Sequence, residues 1–154
     1  MNNTFAESLY SVAVALWVGG MLAIGYVAAP VLFNGLADRG TAGNLAGAMF
    51  AVMAWIGLAC GAYLLLYLAV RRGLRAFKSG VFWIAAAMVA LTAAGHFGIQ
   101  PILAQLKADA LPRQVMESAV RDRFATWHGI SSGLYLLQSL LGLWLVVWQE
   151  RGKR

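Results

Sequence analysis

Charged residues are scarce in this chain of 154 residues, and acidic residues are the scarcest. Lys, Arg, Asp and Glu together make up 12% of the sequence, against 61% hydrophobic residues. Soluble domains carry about 25% charged residues, and a soluble fold of this composition would expose large apolar patches. The shortage of charge therefore excludes an ordinary soluble domain.

Cysteine is nearly absent as well, because Cys60 is the only one. It cannot form an intramolecular disulfide, and we expect it to be a small buried residue. The apolar segments also lack a carboxylate pair, a Ser–His pair with an orienting acid, and a glycine loop for phosphate. No nucleic-acid-binding module is visible. These absences predict a protein that is not an enzyme and does not bind nucleic acid.

Uninterrupted apolar sequence is what the chain has in abundance. Four runs of 26 to 31 residues contain no Lys, Arg, Asp or Glu, namely 8–37, 40–70, 79–106 and 124–149. A helix needs about 20 apolar residues to cross a bilayer. We therefore predict an all-α, polytopic membrane protein: residues 1–154 form a single bundle of four transmembrane helices embedded in the lipid bilayer. The predicted spans are about 9–32, 47–70, 80–103 and 127–148.

The positive charges are unevenly distributed between the connections. The 71–78 connection carries four basic residues and no acid, and the chain end adds Arg151, Lys153 and Arg154. Basic residues accumulate on the cytoplasmic side of membrane spans. We therefore expect an inner-membrane protein with both termini and the 71–78 connection in the cytoplasm.

The connection between the third and fourth spans has a helical pattern of its own. Arg113, Glu117 and Arg121 are spaced for two intrahelical ion pairs. Leu111 and Val115 begin an apolar side of the same helix. We predict an amphipathic helix that lies on the outer membrane face and continues into the fourth span.

Small residues recur every fourth position in each span, which lets helices approach closely in lipid. We expect these stripes to be the packing faces of a tight bundle. They comprise Ala15, Gly19 and Ala23; Gly57 and Gly61; Ala86, Ala90, Ala94 and Gly98; and Gly129 and Gly133.

Polar side chains within the third and fourth spans form the candidate site. The third span carries Thr92, His96 and Gln100 at intervals of four residues. The fourth span carries a set of polar residues on one arc, namely His128, Ser131, Ser132, Tyr135, Gln138 and Ser139. Polar groups in hydrocarbon are costly unless they are paired. We therefore predict that these residues form a polar cluster inside the bundle, around the two histidines.

The histidine pair admits several interpretations. His96 and His128 can be hydrogen-bonded between helices as structural residues. They can instead form a copper site near the outer face with Met49 and Met53, because imidazole and thioether ligands suit copper. A proton or small-solute path lined by the polar residues and a haem held between the histidines are further alternatives. The first interpretation implies no cofactor.

Several short segments resemble a known family. They are 16–21 (LWVGGM), 29–33 (APVLF), 42–44 (AGN), His96 with Pro101, and 127–131 (WHGIS). Together they are similar to the transmembrane protein 205-like family, which implies a small four-span protein of unknown function. The WVGG segment also resembles the membrane domain of CopD-type copper-resistance proteins, which implies copper handling.

The function that the sequence favours is that of a non-enzymatic accessory or interaction protein, whose partner is another membrane protein. Copper handling, or transport of a small solute or protons through the polar cluster, is the alternative.

Overall fold

The structure is a computed structural model that describes residues 3–110 and 118–151. These residues form four long helices, and the described ranges contain no strand. The first helix (3–35) consists of α-helical segments Asn3–Val14, Gly20–Ala23 and Ala29–Gly35, with π-helical turns at Ala15–Gly19 and Ile24–Ala28. The second helix (39–78) is α-helical over Arg39–Arg72 and ends in a 3₁₀ segment, Gly73–Lys78.

The third helix (80–110) is α-helical over Gly80–Ala93 and Gln100–Ala110, with a π-helical turn at Ala94–Ile99 between them. The fourth helix is Ser118–Arg151. All four are long and apolar enough to cross a membrane. The prediction of an all-α, four-helix membrane bundle is confirmed, and each predicted span lies within one helix.

The connections between the first three helices are short, which makes sequence neighbours antiparallel. The second helix packs against the first and the third, and the third packs against the fourth. Most of the predicted amphipathic helix, with Arg113 and Glu117, falls on residues 111–117 and so lies outside the described residues. Arg121 belongs to the beginning of the fourth helix.

Asp38 caps the N-terminus of the second helix. Its carboxylate accepts hydrogen bonds from the backbone N–H groups of Gly40 and Thr41, at 3.0 and 2.8 Å, and from the Thr41 hydroxyl. These bonds satisfy donors that a helix start leaves unpaired. The bonds from the Thr41 hydroxyl, the Thr41 N–H and the Gly40 N–H together lower the pKa of Asp38 below its ordinary value.

Trp17 fills the centre of the bundle and is only 1% exposed. Its indole ring lies against the second helix at Gly57 and Gly61, where an added Cβ would overlap it. Gly61 also meets Val89 of the third helix. The two glycines thus form the packing face that the sequence predicts, since their lack of a side chain makes room for the indole.

In the part of the chain that the structure describes, the other small-residue stripes are exposed apart from the half-buried Ala86, so that part of the prediction is wrong. The exposed small residues come from three helices. They are Ala15, Gly19 and Ala23 of the first helix, Ala90, Ala94 and Gly98 of the third, and Gly129 and Gly133 of the fourth. The third helix instead buries the opposite side, with Met88 0% exposed. Larger side chains gain more dispersion contacts when buried, and they decide which face turns inward.

Candidate functional site

Thr92 and Gln138 connect the third and fourth helices through a hydrogen bond in the bundle interior. Both side chains are buried. The Gln138 amide Nε2 donates to the Thr92 hydroxyl at 2.7 Å, and that hydroxyl donates to the Met88 carbonyl at 2.8 Å. Each buried group therefore has a partner in a region without water.

A second set of bonds connects the first and fourth helices. The Tyr135 hydroxyl donates to the Met21 carbonyl, and the Tyr26 hydroxyl donates to the Ser139 hydroxyl at 3.1 Å. The Ser139 hydroxyl donates in turn to the Tyr135 carbonyl at 2.8 Å. Gln138 and Ser139 are adjacent, so the two sets meet on the fourth helix. We call residues Tyr26, Thr92, Tyr135, Gln138 and Ser139 the polar network.

The first helix adapts its backbone at this point. The aromatic ring of Tyr135 lies against Gly25, where an added Cβ would overlap it. Gly25 belongs to the π-helical turn Ile24–Ala28, which begins three residues after Met21. A π-helical turn interrupts the regular ladder of backbone bonds, and here a side-chain hydroxyl supplies an additional donor to a carbonyl.

The polar network consists of hydroxyl and amide groups and contains no carboxylate, thiol or imidazole. Interhelical hydrogen bonds of this kind each contribute about 0.6 kcal/mol in membranes. The network therefore holds the first, third and fourth helices in register. The sequence pattern identified Thr92, Tyr135, Gln138 and Ser139. It missed Tyr26, whose only signal is a phenolic hydroxyl within a span.

His96 lies outside this network, in the π-helical turn Ala94–Ile99. Its imidazole contacts Trp55 of the second helix edge-on, with ring centroids 5.3 Å apart, and Phe97 at 4.9 Å. Its Nδ1 is buried and has no hydrogen-bond partner among the residues that the structure describes. A buried polar atom without a partner is costly, and π-helical turns occur frequently at functional sites.

His128 has different surroundings. It is exposed on the fourth helix and stacks on Phe124, with ring centroids 5.8 Å apart and planes inclined by 9°. Its carbonyl accepts a bond from the Ser132 hydroxyl at 2.9 Å. Ser132 is exposed, and Ser131 and Gln100 are half-buried. Among the described ring contacts and hydrogen bonds, none joins the two histidines.

The two methionines of the predicted copper site lie on the second helix. Met53 is buried, and a Cβ added at Gly20 of the first helix would lie 2.8 Å from its sulfur. Trp55, which contacts His96, follows two residues later and so points about 200° around the helix from Met53. Met49 is half-buried. Within the described ranges, no three His, Cys, Asp or Glu residues are grouped so as to hold a metal ion.

Comparison with known proteins gives a family but no activity. No curated protein and no solved structure matches the chain. Residues 12–112 match the family model "Domain of unknown function (DUF4149)". The match covers more than half of the chain, including most of the first three helices, and it ends before the fourth helix. With its four apolar helices, the chain is an uncharacterised multi-pass membrane protein that belongs to the DUF4149 family.

Proposed function

We propose that this protein is a non-enzymatic accessory protein that binds another membrane protein through its fourth helix. The proposal is carried by one surface, formed by His128, Gly129, Ser132 and Gly133, which we call the fourth-helix face. All four residues are exposed. A Cβ added at either glycine would meet no described atom within 4 Å.

The chemistry of this face suits a second transmembrane helix. The glycines permit close backbone approach, and hydroxyl and imidazole groups can form hydrogen bonds across a helix pair. The fourth helix is also the least buried of the four: 17% of its most apolar stretch is buried inside the described bundle, compared with 28% in the first helix. The expected partner is a transmembrane helix with a small residue at the crossing point and a polar group opposite Ser132.

The proposal includes an orientation in the membrane. The four basic residues of the 71–78 connection support an inner-membrane location with that connection and both termini in the cytoplasm. The fourth-helix face then lies in the outer half of the membrane. The resemblance to the transmembrane protein 205-like family supports a small membrane domain, without specifying its partner.

A leucine substitution on the fourth-helix face tests whether a partner helix packs there. The Cβ of Gly133→Leu would meet no described atom within 4 Å, so we expect the leucine to collide with a closely packed partner helix. Gly98→Leu on the third helix is the matched control, because it also has no described neighbour within 4 Å of an added Cβ. The chain is cross-linked in intact membranes and then purified. Mass spectrometry identifies the proteins in its adducts.

We expect a specific heterologous adduct in the parent and in Gly98→Leu, and its loss in Gly133→Leu. Equal adducts in all three proteins would contradict the proposal. An adduct with a second copy of the chain alone would also contradict it, because the accessory role requires a different partner.

Copper binding at His96 is the second candidate function. The observation that favours it is the buried, unpartnered Nδ1 in a π-helical turn, and the CopD-type resemblance points in the same direction. Solute or proton transport has less support, because Thr92 and Gln138, which would line the path, are bonded to each other.

A titration with Cu(I) tests this second candidate. The parent should bind copper stoichiometrically, His96→Ala should lose it, and His128→Ala should retain it, since the two histidines have different neighbours. Absence of copper in all three, with His96→Ala only less heat-stable, would leave His96 a structural residue.

A further inference from the structure

A cavity of about 700 Å³ opens at the end of the bundle that carries both termini. All four helices contribute to its walls, including Tyr10 of the first helix, Arg71 and Arg72 of the second, and Trp148 and Gln149 of the fourth. Its volume falls in the ordinary range for small-ligand sites. We call it the terminal pocket.

One positive charge in this pocket has no acidic partner among the side chains that the structure describes. The Arg71 guanidinium forms an ion pair with Glu7 and lies 5.9 Å from the centre of the Tyr67 ring. The Arg72 guanidinium donates instead to the neutral Ser79 hydroxyl, at 3.1 Å. Among residues whose side chains are described, Arg72 forms no ion pair. The pocket is therefore suited to an anion.

A second polar group in the pocket needs a hydrogen-bond donor. The Gln149 side chain lines the pocket, and its Oε1 is buried without a partner among the described residues. An amide oxygen accepts bonds from hydroxyl or N–H groups. A ligand that satisfies both Arg72 and Gln149 must combine an anionic group with a donor such as a hydroxyl.

The remaining walls indicate that the ligand is amphiphilic. The Tyr10 and Tyr67 rings are in contact, with centroids 5.0 Å apart, and Trp148 lines the pocket from the fourth helix. Aromatic residues concentrate at the head-group level of membranes. Leu68 and Val81 add apolar surface. Such walls suit the junction between a lipid head group and its acyl chains.

We propose that the terminal pocket binds the head group of an anionic phospholipid that also carries a hydroxyl. The phosphate interacts with Arg72, the head-group hydroxyl donates to Gln149 Oε1, and the glycerol backbone lies against the aromatic rings. Arginine suits the phosphate because its planar guanidinium can donate two parallel hydrogen bonds. This site is separate from the fourth-helix face and does not depend on the proposed partner.

Native mass spectrometry of the full chain in detergent measures this binding directly. The probe is phosphatidylglycerol, with phosphatidylcholine as the zwitterionic comparison. Arg72→Gln removes the charge but keeps a donor for Ser79. Arg75→Gln is the matched control, because Arg75 is exposed on the same connection and does not line the pocket. Gln149→Leu removes the acceptor and leaves both arginines.

We expect one tightly bound phosphatidylglycerol in the parent, and weaker binding by about tenfold in Arg72→Gln, the typical cost of losing a charge-assisted bond. Arg75→Gln should change binding by less than about twofold, because screening weakens a distant surface charge. Gln149→Leu should weaken phosphatidylglycerol binding, and Arg72→Lys should partly preserve it. If Arg72→Gln does not fold, phosphatidylglycerol binding by Gln149→Leu and Arg72→Lys tests the proposal instead.

Two results would overturn the proposal. Equal losses in Arg72→Gln and Arg75→Gln would indicate general attraction to surface charge without a defined pocket. Displacement of the lipid by an equimolar amount of glycerol 3-phosphate, which carries the head-group glycerol on a phosphate monoester and has no acyl chains, would indicate a site for a soluble phosphate compound.

Discussion

Two glycine pairs with the same spacing, Gly57 with Gly61 and Gly129 with Gly133, have opposite surroundings. The second-helix pair is buried and lies against the indole ring of Trp17. The fourth-helix pair is exposed, with open space where a Cβ would be. Both pairs permit close helix approach, but among the described residues only the second-helix pair packs against another helix.

The difference shows what a small-residue pair does and does not determine. It creates a depression on a helix surface, and the side chain that fills the depression comes from elsewhere. Trp17 fills the one on the second helix. On the fourth helix, no described side chain reaches the corresponding position, and this is the surface to which we propose that a second protein binds.

The largest effect is expected for Trp17→Ala, which removes the side chain that fills the second-helix depression. The free energy of unfolding should fall by about 3–5 kcal/mol, as for other large-to-small core substitutions. Trp55→Ala is the control, because Trp55 is 59% exposed and should lose much less. Denaturant titration in detergent, followed by circular dichroism, measures both. Equal losses would refute the central role of Trp17.

Adding a side chain to each glycine pair should have unequal effects. Gly61→Leu would force its side chain into Trp17 and Val89, at a cost of about 1–3 kcal/mol for overpacking. Gly133→Leu should change the free energy of unfolding by less than about 0.5 kcal/mol, as for other surface substitutions. The same titration applies, and a destabilised Gly133→Leu protein would show that this face packs within the chain.

A smaller effect is expected within the polar network. Gln138→Leu removes the bond to Thr92, whose hydroxyl keeps its bond to the Met88 carbonyl. The loss should be about 0.6 kcal/mol, and no more than about 1.7 kcal/mol. Ser132→Ala, which removes a bond within one exposed helix turn, should cost less. The heat-denaturation midpoints of Gln138→Leu and Ser132→Ala are compared in detergent. A larger loss in Ser132→Ala than in Gln138→Leu would contradict the role of Gln138 in the polar network.

The smallest effect concerns the cap of the second helix. Because the folded-state pKa of Asp38 is lowered, its stabilisation is complete above the ordinary aspartate pKa of about 4 and is lost as pH falls through the lower, folded-state value. Asp38→Asn still caps the helix but does not titrate. The melting temperature of the parent should therefore fall more than that of Asp38→Asn between about pH 5 and pH 2. Parallel curves would contradict this.

The four helices could be predicted from sequence because length and missing charge are properties of each segment alone. Which face of a helix turns inward could not, since it depends on side chains from other helices. The stripe from Ala86 to Gly98 illustrates this: its spacing suits packing, but Met88 and its neighbours on the opposite side are buried instead. The sequence pattern also does not indicate where the π-helical turns occur.

The candidate site was predictable to a similar extent. Thr92 and Gln138 could be identified because polar residues in apolar spans need partners, but the sequence did not pair them with each other. The terminal pocket was missed because it assembles from the ends of four helices. In the sequence, Arg72 is one of several basic residues that indicate the topology, and only the structure places it in the same pocket as Gln149.

Site-specific photo-crosslinking from position 133 in intact membranes shows whether the fourth-helix face binds another membrane protein. A photoreactive amino acid is placed at Gly133, and for comparison at Gly98, which is equally open in the described structure. If the fourth-helix face binds a partner, position 133 should give a discrete adduct with a different membrane protein and position 98 should give none. Adducts with lipid alone from both positions, or the same protein adduct from both, would contradict this proposal.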